Sequence, residues 1–134
     1  MWIFLNNAFL SIVEPSQLDP EANAGRRLLV RARVSGHIET LFSHAEAREV
    51  PGRDYQFRAY IDRDIVAHAI AESIRNIQYG NFKGSVKNEK LHDAYACVWG
   101  VMAQEQEIPP YEKTPRKRKR FAVNPRSPYS NNPS

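Results

Sequence analysis

The chain has 134 residues, 42% of them apolar, with a formal net charge of +4. That is material for one hydrophobic core, and a second would be starved of apolar surface. The charge is unevenly placed: residues 1–108 carry 12 Lys and Arg against 14 Asp and Glu, whereas residues 109–134 carry 7 against 1. The first part is net −2 and the last part net +6, so long-range attraction to a polyanion belongs mostly to the C-terminal segment.

The N-terminal stretch Met1–Val13 is apolar, but its first basic residue is Arg26 and Asn6-Asn7 interrupts it. It lacks the basic start and small-residue cleavage site of a signal peptide, and it is too short to span a bilayer. It reads as two β-prone runs, Met1–Leu5 and Ala8–Val13, joined by Asn6-Asn7 in a two-residue hairpin turn that uses asparagine's tolerance of positive φ. Both runs are apolar at nearly every position, which predicts strands covered on both faces or an edge covered by a partner. Glu14–Gly25 is a loop.

Leu28–Val34 alternates, with Val30, Ala32 and Val34 on one side and Arg31 and Arg33 on the other. Ser35 is a candidate cap for a short helix whose apolar face is Ile38, Leu41 and Phe42. After Pro51-Gly52 a further strand places Tyr55, Phe57, Ala59 and Ile61 on one face and Gln56, Arg58 and Tyr60 on the other. Asp62 is the expected N-cap of the next helix, whose stripe is Val66, Ile70, Ile74 and Ile77. Tyr79–Ser85 reads as a loop. Ser85 or Asn88 opens a last helix with Leu91, Tyr95, Val98 and Met102 on its core face, ended by Pro109-Pro110. The order β-β-β-α-β-α-α predicts an α+β domain over residues 1–108, a small, mainly antiparallel sheet backed by helices. Residues 109–134, rich in Pro, Ser and Asn, have no apolar periodicity and read as a disordered tail.

Several groupings could carry chemistry. The run Arg116, Lys117, Arg118, Lys119 and Arg120 can neutralise phosphates without fixed geometry, or act as a nuclear import signal in a eukaryotic cell. Arg31, Arg33, Arg58 and Tyr60 share the predicted outward side of the sheet, a composition suited to stacking bases and pairing phosphates. The plainer expectation is that these arginines pair with Glu39, Glu49 or Asp54. Lys83, Gly84 and Ser85 precede a helix start and form a weak candidate anion site, without the spacing of a phosphate loop. His92, Tyr95 and Lys83 could together perform acid–base chemistry, although a histidine bordering a core and a Trp99 filling it is the ordinary outcome. His37, His44, His68 and His92 have no metal spacing, and the single Cys97 reads as a small buried residue. One cysteine allows no internal disulfide and asks for no oxidising compartment. No metal and no cofactor are expected.

The segments Met1–Val13, Leu28–Arg33, Asp54–Ala59, Tyr79–Val86, Leu91–Tyr95 and Val98-Trp99 resemble a group of small bacterial proteins of about a hundred residues with no assigned function. The likeness covers roughly residues 1–104, treats the basic tail as an addition, and implies no activity, cofactor or site. Together these readings predict a non-catalytic binding protein of a bacterial cytosol, contacting nucleic acid or another polyanion. The rivals are a protein-interaction module, an adaptor or inhibitor encoded on a mobile element, and a small enzyme.

Overall fold

The computed structural model describes residues 1–108, 110 and 111, so Arg116–Arg120 lie outside the described residues. Five antiparallel strands form one sheet in the order β1-β2-β3-β5-β4. They are β1 (Trp2–Phe4), β2 (Phe9–Val13), β3 (Arg27–Ala32), β4 (Arg48–Glu49) and β5 (Phe57–Asp62). The helices are α1 (His37–Leu41), α2 (Arg63–Arg75), α3 (Phe82–Ser85) and α4 (Glu89–Ala103). The α+β class is as expected; β4 and α3 are additions to the predicted order. The chain divides into two compact units, Met1–Ala96 and Cys97–Ser134, with the boundary inside α4. No helix among the described residues is long and apolar enough to cross a membrane.

Strand alternation builds the core. Leu10, Ile12, Val30, Ala32, Ala59 and Ile61 point to one face of the sheet and are buried there with Ile38 and Phe42 of the α1 region and Val66 of α2. Each Leu, Ile, Val or Phe of this set contributes about 1.5–3 kcal/mol of burial, and the two alanines less. Val34 falls outside this set. The strand ends at Ala32, and Val34 is 50% exposed on the way to α1. Gly36, not Ser35, caps α1: its φ of +88° sets a left-handed entry that a side chain would strain, and no side-chain cap bond forms.

The first hairpin is where the alternation predicted it, with Phe4 opposite Phe9 and Leu5 N–H donating to the Ala8 carbonyl at 2.8 Å. Its turn uses other chemistry. Neither Asn6 nor Asn7 has positive φ. Instead the Tyr95 hydroxyl of α4 sits 2.9 Å from both the Leu5 and Ala8 carbonyl oxygens and shares its one proton between them.

Two helix stripes fade sooner than expected. Along α2, Val66 is buried and Ala69 and Ile70 pack against the core, but Ile74 is 63% exposed; the helix ends at Arg75, so Ile77, 49% exposed, lies beyond it. A four-residue step overshoots a full turn by about 40°, so the repeat drifts off the core face. Asp62 occupies the predicted cap position, yet makes no side-chain cap bond and pairs with Arg27 at 3.6 Å. In α4, Asn88 accepts from Leu91 N–H at 2.9 Å and so opens the helix, and Tyr95 is buried. Val98, Trp99 and Met102 are exposed, and Cys97 is exposed as well. From Tyr95 to Met102 the helix is apolar or small all round, so periodicity could not tell its buried side from its open one.

Candidate functional site

The second face of the sheet carries the chemistry. One row of residues crosses it: Trp2 stands opposite Ser11, Ser11 opposite Arg31, Arg31 opposite Arg58, and Arg58 opposite Arg48. Three guanidiniums thus occupy adjacent positions on β3, β5 and β4. Like charges placed directly across a ladder repel, so something must hold them.

The holding groups are local. The Arg31 Nη2 donates to Ser11 Oγ at 2.8 Å, and its Cζ lies 4.5 Å from the centre of the Tyr55 ring. Arg33 lies over the same ring at 4.2 Å and pairs with Asp54 at 2.8 Å. Burial alone would lower the Arg33 pKa, but the hydrogen bond and charge of Asp54 outweigh it and raise it. Arg48 pairs with Glu21 at 2.9 Å. Arg58 differs. Its Nε donates to the Tyr55 carbonyl at 3.2 Å, and it makes no ion pair among the described residues. Burial, then the charges of Arg31 and Arg53, lower its pKa from the ordinary value. The Arg31 Nε is buried with no hydrogen-bond acceptor among the described residues.

A second row flanks the first, with Val13 opposite Leu29 and Leu29 opposite Tyr60. The Tyr60 hydroxyl donates to Asp19 Oδ2 at 2.5 Å, and Asp19 Oδ1 accepts from Glu21 N–H at 3.0 Å, capping the 3-10 turn Pro20–Ala22. That arrangement lowers the Asp19 pKa, chiefly through the Tyr60 bond, and the same bond raises that of Tyr60. Between this turn and β4–β5 opens a groove of about 440 Å³, lined by Asp19, Glu21, Arg48, Arg53, Arg58 and Tyr60 among others. The groove is mixed in sign, with its cationic side along Arg48, Arg53 and Arg58.

Of the residues expected to act together, Arg31, Arg33, Arg58 and Tyr60 do share the outward side of the sheet. The expected Arg33–Asp54 pair is present, whereas Glu49 bonds Gln56 instead. Tyr55 departs from expectation. It lies before β5, where the chain leaves strand geometry, and its ring goes to the arginines instead of the Phe57 side. Lys83, Gly84 and Ser85 form α3, not a loop. The Gly84 N–H donates to Asn81 Oδ1 and the Ser85 hydroxyl to the Phe82 carbonyl, which leaves neither for an anion. His92 Nδ1 lies 3.5 Å from Asp93. Tyr95 is committed to the hairpin carbonyls, and burial pushes its pKa up to about 12, so it has no proton to exchange near neutrality. Ser11, Arg48, Arg53 and Asp19 are site residues that sequence reasoning does not reach. Only Ser11, a lone polar residue in an apolar strand, carried a signal.

Comparison with known proteins finds no matching family model, no matching curated protein and no matching solved structure.

Proposed function

We propose that this chain is a non-catalytic binding protein that holds a polyanion, with nucleic acid as the leading candidate. The row Arg31–Arg58–Arg48 on the outward face of the sheet makes the local contact. The cations Arg116–Arg120 supply long-range attraction that a domain of net −2 lacks. The observation that carries this reading is Arg58: a partly buried guanidinium between two other arginines, in no ion pair with a carboxylate among the described residues. A phosphate oxygen is the acceptor such a fork suits best. The likeness to small bacterial proteins fits a bacterial cytosol as the setting.

Affinity for single-stranded and duplex oligonucleotides, measured against salt, tests this reading with two variants. Replacing Arg116–Arg120 by Gln should flatten the slope of log affinity on log salt, by about 0.9 for each duplex phosphate that the chain no longer neutralises. Arg31→Gln with Arg58→Gln should weaken binding several-fold at fixed salt with a smaller change in slope. A wild-type chain that binds no nucleic acid at low salt would overturn the proposal. A second reading, an adaptor or inhibitor acting on a protein surface, draws on the apolar end of α4, where Trp99 is 42% exposed and Met102 60%. In that case affinity for the partner would change little with salt.

A further inference from the structure

The two edges of the sheet are built differently. The β4 edge is two residues long, both charged and exposed, and Pro51 follows it closely. Those are the features by which proteins keep a strand edge from pairing. The β1 edge has none of them: Met1–Leu5 contains no charged side chain, no proline and no bulge, and Met1 and Trp2 are 71% and 66% exposed.

The ladder fixes which backbone groups that edge offers. The Met1 nitrogen donates to the Ile12 carbonyl at 2.7 Å, Ile12 N–H donates to the Met1 carbonyl at 2.8 Å, and Leu5 N–H donates to Ala8. Bonded and non-bonded pairs alternate in an antiparallel ladder. The N–H and C=O of Trp2 and of Phe4 therefore point away from β2, and among the described residues no strand adjoins β1 on that side.

We propose that β1 is a homodimerisation edge, pairing antiparallel with β1 of a second copy about a two-fold axis at Ile3. In that register Trp2 faces the partner copy's Phe4 position and Phe4 its Trp2 position, and each pair exchanges two backbone bonds. All outward groups of both copies are then used and none is left over. A two-fold interface must be self-complementary in this way, which an arbitrary foreign strand need not be. The side chains fit the same register. Trp2 and Phe4 lie on the outward face, where Phe4 packs 4.9 Å from the Phe9 ring and 5.2 Å from that of Tyr95. The second copy extends this aromatic cluster. Ile3, on the helix-covered face and packed against the core, meets its own symmetry mate. The axis stands perpendicular to the sheet, so both arginine rows share one face, with the two Arg31 positions about 24 Å apart across five strand spacings. The dimer itself does not depend on what those rows bind.

Sedimentation of the full chain up to about 1 mM, which populates even millimolar associations, should show a monomer–dimer equilibrium. At high concentration the Trp2 and Phe4 amides should gain protection from hydrogen exchange, while the inward Ile3 amide is protected throughout. Trp2→Pro removes an outward N–H and costs no bond to β2; it should abolish the dimer with an unchanged circular dichroism spectrum. Trp2→Lys, which keeps that N–H but sets a charge on the edge, should weaken dimerisation at least tenfold. A chain that stays monomeric throughout overturns the proposal. So does a dimer that survives both variants or leaves the Trp2 and Phe4 amides equally exposed at every concentration.

Discussion

The two faces of this sheet obey different rules. On one, Leu10, Ile12, Val30, Ala32, Ala59 and Ile61 meet α1 and α2, and stability comes from area removed from water. On the other, Ser11, Arg31, Arg58 and Arg48 form a row whose charges repel, and stability comes from specific partners such as the Tyr55 ring over Arg31 and the Glu21 carboxylate beside Arg48. The first face tolerates any well-packed apolar set. The second is held by individually named contacts, a pattern better suited to presenting charge than to building a core.

The sharpest contrast comes from deleting bulk on the first face. Ile38 has no exposed surface and sits at the centre of the apolar cluster. Ile38→Ala should cost about 2–5 kcal/mol in denaturant unfolding, with the cavity adding to the forfeited transfer energy. Arg33→Gln, which removes an exposed ion pair, an exposed bond to the Asp54 carbonyl and a ring contact, should stay within about 1 kcal/mol of wild type. Comparable destabilisation by the two would mean that the outward face is as structural as the core.

The next effect falls at the corner where Tyr95 meets the first hairpin. Tyr95→Phe keeps the ring stacked on Phe82 at 5.5 Å and removes only the hydroxyl shared by the Leu5 and Ala8 carbonyls. The Ala8 carbonyl keeps the Leu5 N–H, so the loss falls on the Leu5 carbonyl and should cost about 1–3 kcal/mol. Hydrogen exchange at Leu5 should speed up more than at Val30. A neutral outcome would show that the turn stands by itself.

The two faces also differ in how far the sequence disclosed them. Period-two alternation found the buried set on β3 and β5 and the outward set Arg31, Arg58 and Tyr60, because a sheet with one apolar side leaves little choice of register. It failed where geometry departs from the strand. Parity assigns Tyr55 to the apolar side, yet the chain is not extended there and the ring serves the arginines. Arg48 was invisible because a two-residue strand has no period. Trp99 looked like core because α4 is apolar on every side near it. The arginine row is a property of register across three strands, and no single segment contains it.

A smaller effect sharpens the idea that the row waits for an anion. A ligand that binds only the folded state raises stability by RT ln(1 + [L]/Kd), so about 1 kcal/mol requires a concentration roughly four times Kd. Inorganic pyrophosphate, as the probe, should raise Tm of the wild type and leave that of Arg58→Gln unchanged at matched ionic strength. An equal rise in both would assign the effect to general screening.

The smallest expected effect is a dependence on pH that belongs to the covered side. His37 opens α1, and its Nδ1 accepts the Phe9 N–H at 3.2 Å, tying the helix start to β2. The lone pair that makes this bond is the one a proton would take. Burial lowers the His37 pKa from its ordinary value of 6.5. Between the folded and unfolded values the unfolded chain therefore binds more protons, and stability rises with pH. The contribution is complete above about 6.5 and disappears as pH falls through the folded value. The urea midpoint should thus decline as pH drops below about 6.5, well before the carboxylates titrate. His37→Asn places a carboxamide oxygen where Nδ1 stood, keeping the acceptor without the proton site, and should flatten that decline. A slope that persists unchanged in the variant would mean that the tie between α1 and β2 is not the pH-sensitive element.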